Sequence, residues 1–221
     1  MKKSIYKIVG FPSIIFGILL LGISIPFHSC EPDDTDNIDS MVVYKPNIYL
    51  YPIERTALTV KLSFPLGGAI IKSIPEYSTG WNIIADTSGL INDKYGYLFY
   101  ESVQPDVWQL SRGWSIKKSD LNDFFLDNMQ KYGFNDREIK DFLDYWIPRL
   151  TDYGYYEIYP QDFKIINSVI KLEINKNPDT ALRLFYLIKG VNTLTNLKIP
   201  SEPSVFIRSG FCATEWGVIL K

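Results

Sequence analysis

The residues best equipped for chemistry in this sequence are acids set where acids are unexpected. Glu101 follows Leu98-Phe99-Tyr100, and Glu215 precedes Trp216, so both interrupt aromatic, strand-like runs. Two carboxylates facing each other across a cleft at roughly 5–10 Å can supply the acid and the base or nucleophile of glycoside hydrolysis. The competing reading pairs each acid with Arg112, Arg183 or Arg208, or sets it as a turn cap. A second group is aromatic. Trp81, Trp108 and Trp114 offer ring faces for stacking on sugars. Tyr155 and Tyr159 share one face of a strand with Glu157 between them, an arrangement that suits an exposed binding strip. Trp81, Tyr155 and Tyr159 are the binding candidates; the alternative for all three is core. Cys212 is read as a small buried apolar residue, since no imidazole is available to activate it.

Composition narrows the chemistry further. The chain has 221 residues, with 23 Lys and Arg against 25 Asp and Glu, and no basic run. Nucleic-acid affinity needs clustered cations, so no nucleic-acid partner is expected. Two Cys do not make a disulfide scaffold. The single His is His28, so from residue 30 onward Ser-His-Asp, Cys-His and His-zinc sites are excluded. The Gly-rich phosphate cradles are missing, and no cofactor is expected. Asp34 and Asp36 begin a calcium-loop spacing, but the required Gly and closing Glu do not follow, so no metal site is assigned. Carboxylate, Lys, Tyr and Ser-Lys chemistry remain.

The N-terminal region addresses location. Lys2, Lys3 and Lys7 precede an apolar run from Ile14 to Ile25, interrupted only by Gly17, Gly22 and Ser24. Pro12 leaves the run short for a membrane span, and Ser29-Cys30 follows where a signal would be cut. This segment resembles a bacterial lipoprotein signal of the Bacteroidota type, which implies acylation at Cys30. The acidic stretch Glu31 to Asp39 cannot bury enough surface to fold. It resembles the surface-export signal of the same lipoproteins; the plainer reading is a solvated spacer. The expected organisation is a signal peptide over 1–29, a lipidated Cys and acidic tether over 30–43, and one domain over 44–221. The implied location is the outer membrane, lipid-anchored and surface-exposed, with the membrane as a partner through the N-terminal lipid. Residues 1–29 hold three Lys and no acid, so the remainder carries 20 bases against 25 acids.

The elements that must position these residues follow from periodicity. Leu58, Val60, Leu62 and Phe64 alternate with Thr59, Lys61 and Ser63. Ile170, Leu172 and Ile174 alternate with Lys171 and Glu173, and Leu182 to Ile188 alternate likewise. Period two predicts half-buried antiparallel strands. Asn177-Pro178-Asp179 favours a turn, so the last two runs are expected to form a hairpin. Ile48–Leu50, Trp81–Ala85, Tyr97–Glu101, Tyr155–Tyr159 and Phe211–Val218 are further strands. Helical spacing takes over at Leu121, Phe124, Phe125, Met129 and Tyr132, with Ser119 as N-cap and Gly133 as stop. A second helix opens on Asn135 and Glu138, a capping-box pair, carries Ile139, Phe142, Leu143 and Trp146, and ends at Pro148. The short join makes an antiparallel pair. The fold class is α+β: a mainly antiparallel β-sheet or sandwich with an inserted helical hairpin.

From Lys45-Pro46-Asn47-Ile48-Tyr49-Leu50-Tyr51-Pro52 onward the domain resembles an uncharacterised family that opens with a KPxIYLYP string. Gly80-Trp81-Asn82, Leu98-Phe99-Tyr100-Glu101, Tyr145-Trp146-Ile147-Pro148, Pro178-Asp179-Thr180 and Glu215-Trp216-Gly217 follow in the order that the resemblance implies. The resemblance implies no activity. The leading functional expectation is a cell-envelope binding or interaction module for a glycan, a peptide or an envelope protein. The alternatives are a carboxylate-based hydrolase acting on glycans, and a structural subunit of a surface assembly.

Overall fold

The computed structural model describes residues 40–221. The expected signal, Cys30 and the acidic stretch up to Asp39 lie outside the described residues. Ten strands and three helices follow in order: β1 Ser40–Tyr51, β2 Thr56–Ser63, β3 Ala69–Ile74, β4 Trp81–Ala85, β5 Leu98–Pro105, β6 Trp114–Lys117, α1 Leu121–Tyr132, α2 Asp136–Trp146, β7 Tyr155–Gln161, α3 Phe163–Val169, β8 Lys171–Ile174, β9 Thr180–Val191 and β10 Cys212–Leu220. They build a seven-stranded sheet ordered β3-β5-β1-β10-β9-β7-β6 and a three-stranded sheet ordered β4-β2-β8. Every pairing is antiparallel except β9 with β10. The α+β expectation therefore holds, with sheet dominant and a helical hairpin inserted.

Alternation explains the layers. In β2, Leu58, Val60 and Leu62 are buried while Ala57, Lys61 and Ser63 are exposed, so one face of the small sheet meets the core and the other meets water. That buried face, with Ile166 and Val169 of α3, packs against Ile48, Leu50, Tyr100 and Phe185 of the large sheet. On the opposite face of the large sheet, Tyr49, Tyr186, Trp216 and Val218 receive Phe125, Met129, Ile139, Phe142 and Trp146 of the helical hairpin. The large sheet is thus the middle layer. Its central strands are buried on both sides, and eight of the nine residues of β10 are buried.

Local signals fix the hairpin. Asn135 and Glu138 form the expected capping box, each side chain accepting from the other's backbone N–H. Gly133 takes the left-handed conformation at φ 102° that ends α1, and its N–H reaches Met129 O at 3.1 Å. Glu138 does more than cap. Its fully buried carboxylate accepts both Nη atoms of Arg208 at 2.9 and 3.0 Å and the Thr214 hydroxyl at 2.6 Å. Trp216 Nε1 donates to Glu138 O at 3.0 Å. One residue therefore ties the hairpin to β10 and to the connection before it.

Several expectations need correction. The runs around Ile170–Ile174 and Leu182–Ile188 form no hairpin with each other. β8 pairs with β2 in the small sheet, and β9 runs between β10 and β7 in the large one. Pro178-Asp179 carries the chain from one layer to the other; alternation specifies a buried face and not a partner. β9 is also not half-buried, since Arg183, Phe185 and Leu187 lie inside together with Leu184, Tyr186 and Ile188. Ser119 caps no helix: a 3-10 turn over Lys118–Asp120 precedes α1, and the Ser119 hydroxyl donates to Asp120. β1 begins at Ser40 and buries Val43, so residues 40–43 are sheet rather than tether. β3, β6 and α3 are additional elements. β9 and β10 are parallel and need a crossover, which residues 192–211 supply without a helix. Ile199, Val205 and Ile207 of this stretch are exposed.

Candidate functional site

An irregular stretch of central-strand backbone lies at the start of the KPxIYLYP string. Pro46 cannot donate to a ladder, and β1 has partners on both sides, so the pairing must break there. It does: register slips between Tyr44 and Asn47 against β10, and between Val43 and Asn47 against β5. Within this bulge Lys45 sits at φ 56°. A left-handed conformation on a residue with a Cβ costs about 1–2 kcal/mol. What the bulge achieves is re-aiming: it turns a long cationic side chain out of the sheet's alternation.

Lys45 Nζ donates to Asn47 Oδ1 at 2.9 Å and to the Tyr97 hydroxyl at 3.2 Å. Rings surround it, with centroids at 4.4 Å for Tyr97, 4.5 Å for Phe99 and 5.4 Å for Tyr145. Two further lysines stand over rings of the same wall. Lys72 Nζ lies 5.5 Å from Phe99 and Lys94 Nζ lies 4.9 Å from Tyr95. Together they line an open hollow of about 360 Å³. Lys45, Phe99 and Tyr145 come from three different strings of the sequence, brought together by β1, β5 and α2. Burial pushes the Lys45 ammonium down to about 8 from 10.5, with Asp141 and then Glu101 working in the opposite direction.

The surroundings hold this cation rigidly. Tyr49 OH donates to Asp141 Oδ2 at 3.0 Å, and Asn47 Nδ2 donates to Tyr49 OH at 3.4 Å. Burial, then the Asp141 carboxylate, drives the Tyr49 phenol far above its ordinary range. The Arg149 guanidinium stacks 3.8 Å from the Tyr145 ring and donates to Tyr145 O at 2.6 Å. The result is an aromatic-floored patch of positive charge in a domain, residues 44–221, that holds 20 bases and 20 acids. Such a patch attracts anions, and the flat rings suit the C–H faces of sugars.

The two nominated carboxylates are not brought together. Glu101 is opposite Lys72 across β3–β5, at the margin of the hollow. Tyr100, its neighbour on β5, points to the other face and donates to Glu215 Oε1 at 2.8 Å. Successive side chains of a strand face opposite ways, so the large sheet separates Glu101 from Glu215. Glu215 is instead buried and bound to Arg183 Nε, one of the arginines considered from the sequence. The two-carboxylate arrangement of a glycosidase is therefore not made by this pair.

The aromatic candidates separate likewise. Trp81 is 2% exposed, stacks edge-on with Tyr77 and donates to Pro75 O at 2.8 Å, so it is core. Tyr159 is 5% exposed and donates to Glu157 Oε2 at 2.8 Å. Tyr155 is half-buried. The expected Tyr155–Tyr159 strip is not an exposed surface, because β7 is flanked by β6 and β9 and covered on both faces. Trp108 and Trp146 are core, and Trp114 packs edge-on against Phe124. Cys212 is buried, as expected, and burial raises its thiol above 9.0. The cage around Lys45 is not visible in periodicity or composition. The available signal was Lys-Pro inside a run that otherwise reads as a central strand.

Among the described residues no helix is long and apolar enough to cross a membrane. Among them too, no group of three or more His, Cys, Asp or Glu gathers as a metal site. No protein-family model, no characterised protein and no solved structure matches the chain. The family resemblance rests on the strings themselves.

Proposed function

We propose that this is a lipid-anchored envelope protein, acylated at Cys30, whose domain binds acidic glycans in the Lys45 hollow. One observation carries the reading: a strained bulge on a central strand delivers a caged ammonium to a hollow that also holds Lys72 and Lys94. A uronic-acid carboxylate would meet the ammonium groups while its ring lies against Tyr95 or Tyr97. Glu101 at the margin would select against an over-charged ligand such as a polyphosphate. The signal-like N-terminus and acidic stretch support a surface location, where such glycans are met. Catalysis by a Glu101–Glu215 pair has no geometric support.

Titration of the soluble domain with oligouronides and with neutral oligosaccharides of equal length tests the binding. The uronide binds, salt weakens it, and Lys45→Met lowers affinity at least about tenfold, the loss of one charge-assisted contact. Equal affinity for the neutral sugars refutes the assignment. In cells, Cys30→Ala releases the protein from the membrane fraction; an unchanged membrane association refutes the anchor.

A further inference from the structure

On the other side of the large sheet lies a crevice of about 530 Å³ that the Lys45 site does not use. Its floor follows from register. Ala213 of β10 is directly opposite Ala181 of β9, and the next inward-facing pair is Glu215 opposite Arg183. Two alanines side by side leave a hollow where larger residues would fill the layer. Ala181 is exposed and Arg183 is 4% exposed, so the crevice runs from water at Ala181 to a buried ion pair. Phe163, Leu172, Ile174 and Pro178 form its apolar walls.

The hydrogen-bond accounting at the inner end is unequal. Both Glu215 oxygens are taken, one by Tyr100 OH and one by Arg183 Nε. Arg183 Nη1 donates to Asn167 Oδ1 at 3.1 Å and to Ile170 O at 2.6 Å. Arg183 Nη2 is buried with no partner among the described residues. A buried guanidinium nitrogen without an acceptor is unfavourable, and the spare capacity here is purely that of a donor. The charge, however, is already balanced by Glu215. Bringing an anion to this end would leave a net negative charge in a desolvated site.

We infer that this crevice binds a small, neutral, largely apolar molecule that presents a carbonyl oxygen to Arg183 Nη2. The apolar body fills the space above Ala181 and Ala213, and the carbonyl completes the guanidinium. Nothing in this assignment depends on the Lys45 hollow.

The test is a titration followed by amide NMR, using 4-phenylbutanamide and its charged counterpart 4-phenylbutanoate. The amide binds and shifts Ala181, Ala213 and Arg183; the carboxylate binds at least about tenfold more weakly. Ala181→Leu blocks the mouth without touching the ion pair and abolishes binding. Arg183→Met with Glu215→Leu removes the donor without leaving a lone buried charge, and weakens the amide at least tenfold. Lys45→Met leaves it unchanged. The inference fails if the amide does not bind, if the carboxylate binds as well or better, or if Ala181→Leu binds like the parent chain.

Discussion

Lys45 gives the sharpest prediction, because its burial couples stability to pH in a known direction. The folded-state value of about 8 lies below the ordinary 10.5. Between those values the unfolded chain holds more protons than the folded one, so stability rises with pH across that window. Below about 8 both states are protonated and the cost of the buried ammonium is present in full. Above 10.5 neither state is. At about 1.36 kcal/mol per unit the full swing is roughly 3.4 kcal/mol. Lys45 is only half-buried, so water screens the charge, and about 1.5–2 kcal/mol is the expected size. The perturbation is Lys45→Met. It also loses the bonds to Asn47 and Tyr97, but that loss does not vary across the window and cancels when the slope is read. Urea unfolding of both proteins, followed by Trp fluorescence at pH 7 to 10, gives the difference at each pH. The parent chain gains about 1–1.5 kcal/mol relative to the variant between pH 7 and pH 10, the part of the swing completed before 10.5. A flat difference, or one of opposite slope, refutes the desolvated-ammonium account. The same proton enters binding: an anion stabilises the charged form, so oligouronide affinity falls as pH rises past 8.

Two further outcomes follow from buried groups. Cys212 sits buried beside Thr180 with its thiol raised by burial, so it reacts slowly with a disulfide reagent at pH 8 and rapidly once urea unfolds the domain. Rapid reaction of the folded protein would contradict its placement. Asn135→Ala loses the α2 cap and a long bond from its Nδ2 to Tyr51 OH, and costs about 0.5–2 kcal/mol. Glu138→Ala loses its half of the cap, the Arg208 pair and the Thr214 bond, and costs about 3–5 kcal/mol. Urea midpoints in the reverse order would show that the hairpin is not held to β10 through Glu138.

The strings of the sequence acquire distinct physical roles in the fold. Gly217 stands where a Cβ would lie 3.0 Å from Phe185 and 3.2 Å from Pro46, so a side chain there would press on both rings. Glu215 serves the Arg183 pair, Trp216 donates to Glu138, and Asp179 accepts from Phe211 N at 2.7 Å. Lys45, Phe99 and Tyr145 line the hollow on one face of the large sheet, while Pro178 and Glu215 line the crevice on the other.

What the sequence by itself determined is local. Period-two alternation set the buried face of β2, and helical spacing with Asn135, Glu138 and Gly133 set the hairpin and its limits. These features depend on neighbours within a few residues, so a linear reading reaches them. Tertiary structure decided the rest. β8 and β9 entered different sheets because strand pairing is chosen between distant segments that alternate equally well. Glu101 and Glu215 parted because one odd step along β5, from Tyr100 to Glu101, crosses the sheet. Trp81 and Tyr159 became core because two layers close over them. Lys45 became a site only when β1, β5 and α2 met around its bulge. Proximity across a sheet depends on register and layer order, and neither is written in the spacing of any single segment.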